Sequence, residues 1–292
     1  MKKRKKIRKA KSNGKLYMFW FRFSKNRLAV IGLFILIAMT TIAVTAPLFI
    51  DPELTEKQVH TDRLQGPSRE HLLGTDCYGR DILARIVYGS RISLSVGFAV
   101  VGISLLFGGI IGSIAGFFGG RVDNTLMRLM DVFMAIPGTI LALAVVAALG
   151  TTMVNLLIAL AISRVPHVSR IVRAAVLSQS SQEYVEAARS YGCSVPRIIM
   201  RQVLPNALGP ILVQITLSLG TTILAISGLS YIGLGIQPPT PEWGNMLSEA
   251  KEYLRLYPWQ AFPAGIAIML SVFSFNQIGD GLRDAFDPKL RN

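Results

Sequence analysis

Residues 183–210 read EYVEAARSYGCSVPRIIMRQVLPNALGP, a charged amphipathic stretch set between long apolar runs. Tyr184, Ala187, Ala188 and Tyr191 recur at helical spacing, and Glu183 and Glu186 stand near the N-terminal end, where the helix dipole favours acids. Small alanines let a second surface approach closely. Leu204-Pro205 closes the stretch just before the next apolar run. The pattern predicts a polar helix presented to a soluble partner.

The surrounding sequence decides the fold class. A helix needs about 20 apolar residues to cross a hydrocarbon core, and charge-free runs cover 28–50, 92–120, 132–163, 203–240 and 257–277. The third run is too long for one span and divides at Gly150-Thr151-Thr152. In the fourth, a helix is expected from near Pro205 to Ser230, ahead of the cluster Gly233, Gly235, Pro238, Pro239. Six spans result. The chain thus reads as an all-α integral membrane protein with a basic tail (1–27), a first anchor (28–50), an outer loop with an interfacial helix (51–91) and a five-span core (92–292) containing the partner-facing loop 174–204.

Composition agrees: hydrophobic residues make up 51% of the 292 and charged residues only 16%. The net charge of +14 would suggest nucleic acid in a soluble protein. Twelve of the Lys and Arg residues lie in 1–27, which holds no acid, carries no aromatic-basic recognition motif and runs straight into an apolar stretch. Retention beside anionic headgroups explains such a tail, each basic residue contributing about 1 kcal/mol. The first apolar run exceeds the h-region of a cleaved signal, roughly 7 to 15 residues, so it should remain as an anchor. With the N-terminus inside, the inner segments carry 23 Lys and Arg and the outer ones 8, so both termini are expected in the cytoplasm. Cys77 and Cys193 then fall on opposite sides and cannot pair.

Gly108, Gly112, Gly116 and Gly120 recur every four residues, a ridge that favours close helix packing. Pro137 should kink the third span. Gln214, Ser218, Thr221 and Thr222 form a polar stripe within the fifth span, either bonded locally or lining a solute pathway. Arg164, His167, Arg170 and Arg173 are placed towards the inner end of the fourth span, where their stems can snorkel; a proton relay at His167 is disfavoured. Gly74, Asp76, Gly79 and Asp81 suggest a tight turn capping a helix in which Arg80, Arg85 and Arg91 mark an interfacial pattern. A metal site from His71, Asp76 and Asp81 is the weaker alternative. Pro238, Pro239, Pro241 and Trp243 suit a stiff outer loop, a lid or docking surface with an aromatic interface anchor.

Catalysis finds little support. No histidine follows His167 to serve Ser227 or Ser230 as a base. No Gly-x4-Gly-Lys-Ser/Thr occurs, so nucleotide binding in the P-loop manner is excluded and no metal or cofactor is expected. A secondary carrier would need ionisable groups deep in the spans, and none is expected there.

Glu186, Ala187, Ala188, Gly192, Leu204 and Pro205 match in type and spacing the EAA loop that this segment resembles, that of ABC importer permeases. Gln202 stands where the pattern usually has isoleucine. The block HLLGTDCYGRDILARIVYGSRISL (71–94), the block LSYIGLGIQPPTPEWGNML (229–247) and the Gly-Asp-Gly-Leu-Arg-Asp ending from Gly279 resemble dipeptide and oligopeptide permeases of the second, short-loop type. The resemblance implies a type I importer fold in which Glu183, Tyr184, Glu186, Ala187, Ala188, Tyr191 and Gly192 couple to an ATPase. It also implies a homologous second permease, two ATP-binding subunits, an extracytoplasmic solute-binding protein, a prokaryotic cell membrane and a peptide cargo. Nickel chelates, opines or glycosides are the alternative cargoes.

Overall fold

The computed structural model describes Gly14 and residues 17–286. Most of the basic tail lies outside the described residues, as do Lys289 and Arg291. Residues 17–25 are helical, and Asn26 then caps α1 (Arg27–Phe49) by accepting the Ala29 N–H at 3.1 Å. The chain continues through α2 (Ile82–Phe118), α3 (Gly120–Met134), α4 (Gly138–Leu149), α5 (Met153–Ser180), α6 (Glu183–Ser190), α7 (Leu204–Tyr231), α8 (Trp243–Ala250) and α9 (Phe262–Phe286). Five helical runs are long and apolar enough to cross a membrane, and a sixth span results if α3 and α4 count as one. The fold is therefore an all-helical integral membrane bundle.

Small residues decide which helices touch. On α2, a Cβ at Gly108 would lie 2.9 Å from Val168 Cβ, at Gly112 2.9 Å from Val172 Cβ, and at Gly116 2.6 Å from the Arg173 carbonyl oxygen, so α2 and α5 meet backbone to backbone. Gly120 is not part of this ridge. The helix ends at Phe118, Gly119 and Gly120 both turn to positive φ, and nothing approaches Gly120 within 4 Å. On α1 the buried residues are Ala29, Gly32, Ala43 and Ala46, and Gly32 faces Ser274 and Gln277 of α9. Its large side chains, such as Phe34 and Leu48, are exposed. A helix with its small face inward and its bulky face outward is built for lipid on one side and close packing on the other.

Four boundaries differ from the sequence reading. α2 runs unbroken for 37 residues from a cap in which Asp81 accepts the Ala84 N–H at 2.7 Å, so the limit placed at 91/92 falls inside one helix. Pro137 breaks its span instead of kinking it: α3 and α4 diverge by 77°, because proline drives the preceding residue out of the α region. At 12 residues, α4 is about 18 Å long and does not cross a core of about 30 Å alone. The fifth span begins before Pro205, as a continuous helical run from Val195 to Tyr231 with a π turn over Ile199–Val203. In that turn the Leu204 N–H reaches back to the Ile199 carbonyl, which fits the chain around a proline that donates nothing. Finally, residues 174–180 belong to α5, not to the loop after it.

Trp243 corrects another expectation. It is fully buried rather than an interface anchor, its indole N–H donating to the Ile86 carbonyl at 3.2 Å. Gly244 next to it lets α8 lie on the backbone of Ser227.

Candidate functional site

α6 is eight residues long, too short to hold itself together in water. Val185 and Ala188 fix it, packing into a cluster with Val176, Ile198, Val203 and Phe117 from the ends of α2, α5 and the run into α7. Arg189 lies over the Phe117 ring at 4.8 Å, and the Tyr184 hydroxyl donates to Gln179 Oε1 at 2.9 Å. The two alanines therefore have opposite roles: Ala188 is buried under the helix and Ala187 is exposed. Glu183, Tyr184, Glu186, Tyr191 and Gly192 are exposed with it. The outer surface of α6 and its C-cap Tyr191 together present two carboxylates and two phenols.

The end of α6 explains the glycine. Gly192 has φ +72°, a left-handed conformation that costs other residues about 1–2 kcal/mol. Its N–H donates to Arg189 O at 2.9 Å and the Cys193 N–H donates to Ala188 O at 3.1 Å, the paired bonds of a Schellman cap. That cap turns the chain sharply into Val195–Ile198, which starts the run towards α7.

The polar stripe divides. Ser218 and Thr222 are buried and donate to carbonyls of their own helix, Gln214 O at 2.8 Å and Ser218 O at 2.6 Å, so they offer little to a solute. Thr221 is exposed, with Gln214 two turns away along the same side of α7. Arg164 of α5 reaches Thr221, Nη1 to Oγ1 at 3.2 Å. The sequence reading placed Arg164 near the inner end of its span. In the structure it stands eleven residues into the 28-residue α5, which continues well past the charge-free run, to Ser180. Arg170 pairs with Asp131, and Arg173 forms a fork with Asp123, Nη2 to Oδ2 at 2.5 Å.

At the other end of the bundle, Arg80 and Arg85 are buried with Asp76 and Glu249 rather than interfacial. Arg80 bonds Asp76 Oδ2 at 2.6 Å and Glu249 Oε2 at 2.7 Å. Arg85 reaches the same Glu249 oxygen at 3.1 Å and the carbonyls of Thr55 and Pro239 at 2.8 and 3.2 Å. Two cations and two anions thus tie the 51–81 segment to α8. Burial, followed by the neighbouring Asp76, pushes the Cys77 thiol up to about 11. His71 bonds Asp81 at 2.9 Å, separate from Asp76, and no metal-ligating cluster occurs among the described residues. A polar recess of about 330 Å³, lined in part by Tyr78, Gln237, Glu252 and Tyr253, opens beside this cluster.

Sequence reasoning missed Glu249 and Glu242, the latter fully buried, capping α8 at Asn245 N (2.9 Å) and accepting from Ser93 (3.3 Å). Arg80 and Arg85, the partners of Glu249, and Ser93, the second partner of Glu242, are more than a hundred residues away in sequence, and no local pattern announces them.

Residues 108–292 match the family described as binding-protein-dependent transport system inner membrane component. Residues 16–67 match the N-terminal TM domain of oligopeptide transport permease C. The chain is similar to the dipeptide transport system permease protein of Alkalihalophilus pseudofirmus, 47% identical over 93% of this chain and 89% of that one. It is 41% identical to the oligopeptide transport system permease protein of Bacillus subtilis over 92% and 88%. It is 42% identical to the glutathione transport system permease protein of Pectobacterium atrosepticum over 94% and 91%. Among solved structures, an inward-facing methionine ABC transporter shares the fold with TM-score 0.57, at 18% identity over 70% of this chain and 98% of that one.

Proposed function

The chain belongs to the inner membrane components of binding-protein-dependent transport systems, as a permease of the dipeptide and oligopeptide type, and on that premise we propose that it forms half of a peptide import pathway. The observation that carries the coupling part of this reading is the placement of α6. A short helix held from beneath by Val185 and Ala188 and bare on its outer face is a lever whose push or pull is passed to the ends of α2, α5 and α7.

Glu183, Tyr184, Glu186, Ala187, Tyr191 and Gly192 are the residues that meet an ATPase subunit, with Ala188 holding the helix in place. Closure of two ATPases on ATP draws α6 and rocks this bundle against a homologous second permease, opening the cavity outward. Hydrolysis resets it. The chain supplies no catalytic group and binds no ATP itself. Gln214 and Thr221 face the pathway, and an extracytoplasmic solute-binding protein delivers the cargo. The Lys and Arg bias supports a prokaryotic cell membrane location with both termini in the cytoplasm. Relatives named for dipeptide, oligopeptide and glutathione transport support a peptide cargo over nickel chelates, opines or glycosides.

The test is import of alanyl-alanine and trialanine into proteoliposomes holding the purified four-subunit complex with its binding protein. ATP-dependent uptake that Glu186→Lys abolishes, with the complex still assembled, is the expected result. Uptake by this chain alone, without ATPases, overturns the reading.

A further inference from the structure

We infer that Arg164 is an anion station in the middle of the membrane, receiving the terminal carboxylate of the solute as it passes. The inference rests on the peptide-import reading and adds to it a residue and a chemistry.

Depth comes first. Arg164 is eleven residues from Met153 at the start of α5, about 16 Å along the axis, and Thr221 is ten residues from Tyr231 at the end of α7, about 15 Å. Those two helix ends belong together, since Leu156 of α5 and Ile226 and Leu229 of α7 share one buried cluster. Two helices thus independently put the Arg164–Thr221 bond about 15 Å from the same end, half of a hydrocarbon core of about 30 Å. A guanidinium there does not snorkel out along its own stem.

Charge comes second. Of the three arginines on this part of α5, Arg170 and Arg173 are neutralised by Asp131 and Asp123 of α3. Among the described residues, Arg164 has no acid within 4 Å, and its one side-chain hydrogen bond is to Thr221. The Thr221 hydroxyl donates in turn to Ser218 O at 3.0 Å, so its lone pair holds one guanidinium N–H in place. The other N–H groups are not enclosed by the chain, because none of them is among the buried unpartnered atoms. They keep accessible surface on a half-buried side chain, and Thr221 beside them is exposed.

A fixed, half-open cation at mid-depth is costly against lipid and stable against water or an anion. A permease working as one of a pair has such a place, the cavity between the two bundles. Every linear peptide, whatever its side chains, presents a carboxylate there, and a guanidinium fork accepts it through two parallel bonds. A station that reads only the terminus suits a transporter whose binding protein does the choosing.

The test measures peptide imported per ATP hydrolysed by the complete importer in proteoliposomes, with alanyl-alanine and alanyl-alaninamide as probes. Arg164→Gln is expected to lower the ratio about tenfold for alanyl-alanine and less than twofold for the amide, and Arg164→Lys, which keeps the charge but not the fork, to restore part of the loss. The Lys rescue keeps the test decisive where the amide is carried poorly. An unchanged ratio, an equal loss for both probes, or a Lys variant as poor as the Gln variant overturns the station and assigns Arg164 to packing or to an acid of the second permease. Failure of the wild-type complex to import both alanyl-alanine and trialanine overturns the peptide reading and this inference with it.

Discussion

The Cys193 N–H returns to the carbonyl of Ala188 at 3.1 Å, across a glycine in left-handed conformation. This bond sets the direction in which the chain leaves α6, and so the angle at which the exposed face of α6 stands relative to α7. Gly192 has nothing within 4 Å of the position its Cβ would take, so its restriction is conformational and not steric. Gly192→Asn, which tolerates positive φ, should keep most ATPase coupling. Gly192→Val should lose about five- to thirtyfold in transport-linked ATPase activity through a cost of about 1–2 kcal/mol at the cap. Paired measurements of ATPase activity and of co-purified ATPase subunits check this.

The glycine face of α2 gives a controlled comparison. A Cβ at Gly112 meets the backbone of α5 at Ser169 and Arg173, whereas one at Gly102 meets nothing within 4 Å. Gly112→Ala should destabilise by about 1–3 kcal/mol, as overpacking against a backbone that has no rotamer to give. Gly102→Ala should be neutral or stabilise by up to about 1 kcal/mol, through helix propensity alone. Unfolding midpoints in a mixed-detergent titration separate the two.

Much of this architecture is legible in the sequence, and the exceptions have physical causes. Spacing of four put Gly108, Gly112 and Gly116 on one face, and the structure places that face on α5. Gly120 shares the spacing but not the helix, since two successive glycines at positive φ end it. Pattern alone did not separate Ala187 from Ala188, because both fit an approach surface and only the packing of Val185 says which side is down. Trp243 was misplaced because an indole with a polar N–H suits a membrane interface and a core that offers a carbonyl equally well, and the carbonyl of Ile86 lies 157 residues away. The charge-free run ends at Ser163 but α5 continues to Ser180, because Asp131 and Asp123 meet Arg170 and Arg173 on its later turns.

The Asp76, Arg80, Arg85 and Glu249 cluster should behave as a unit. Removing Arg85 alone leaves Glu249 with one cation and strands the carbonyls of Thr55 and Pro239, so Arg85→Met should cost about 3–5 kcal/mol. Glu249→Leu leaves Arg85 with Asp76, at 3.5 Å, as its remaining acid. The double variant removes one charge of each sign while Arg80 and Asp76 keep their 2.6 Å bond, so it should be more stable than the sum of the singles by about 1–3 kcal/mol. A double-mutant cycle of thermal unfolding midpoints decides it, and strict additivity would show that Arg85 and Glu249 act independently.

The two cysteines report on opposite ends of the molecule. Cys77 is buried, and its thiol, raised from an ordinary 9.0 to about 11, holds about 100-fold less thiolate at pH 8 than an unperturbed one. Because thiolate is the reacting species, Cys77 should resist maleimide at pH 8 in the folded chain and react only after denaturation. Cys193 is half-buried at the cap of α6 and should react in the isolated permease, giving one label per chain where the denatured protein gives two. If α6 is the surface that an ATPase covers, adding the ATPase subunits should slow labelling of Cys193 by at least fivefold and leave the denatured total at two. Equal rates with and without them, measured by intact-protein mass over time, would place the ATPase contact elsewhere on the chain.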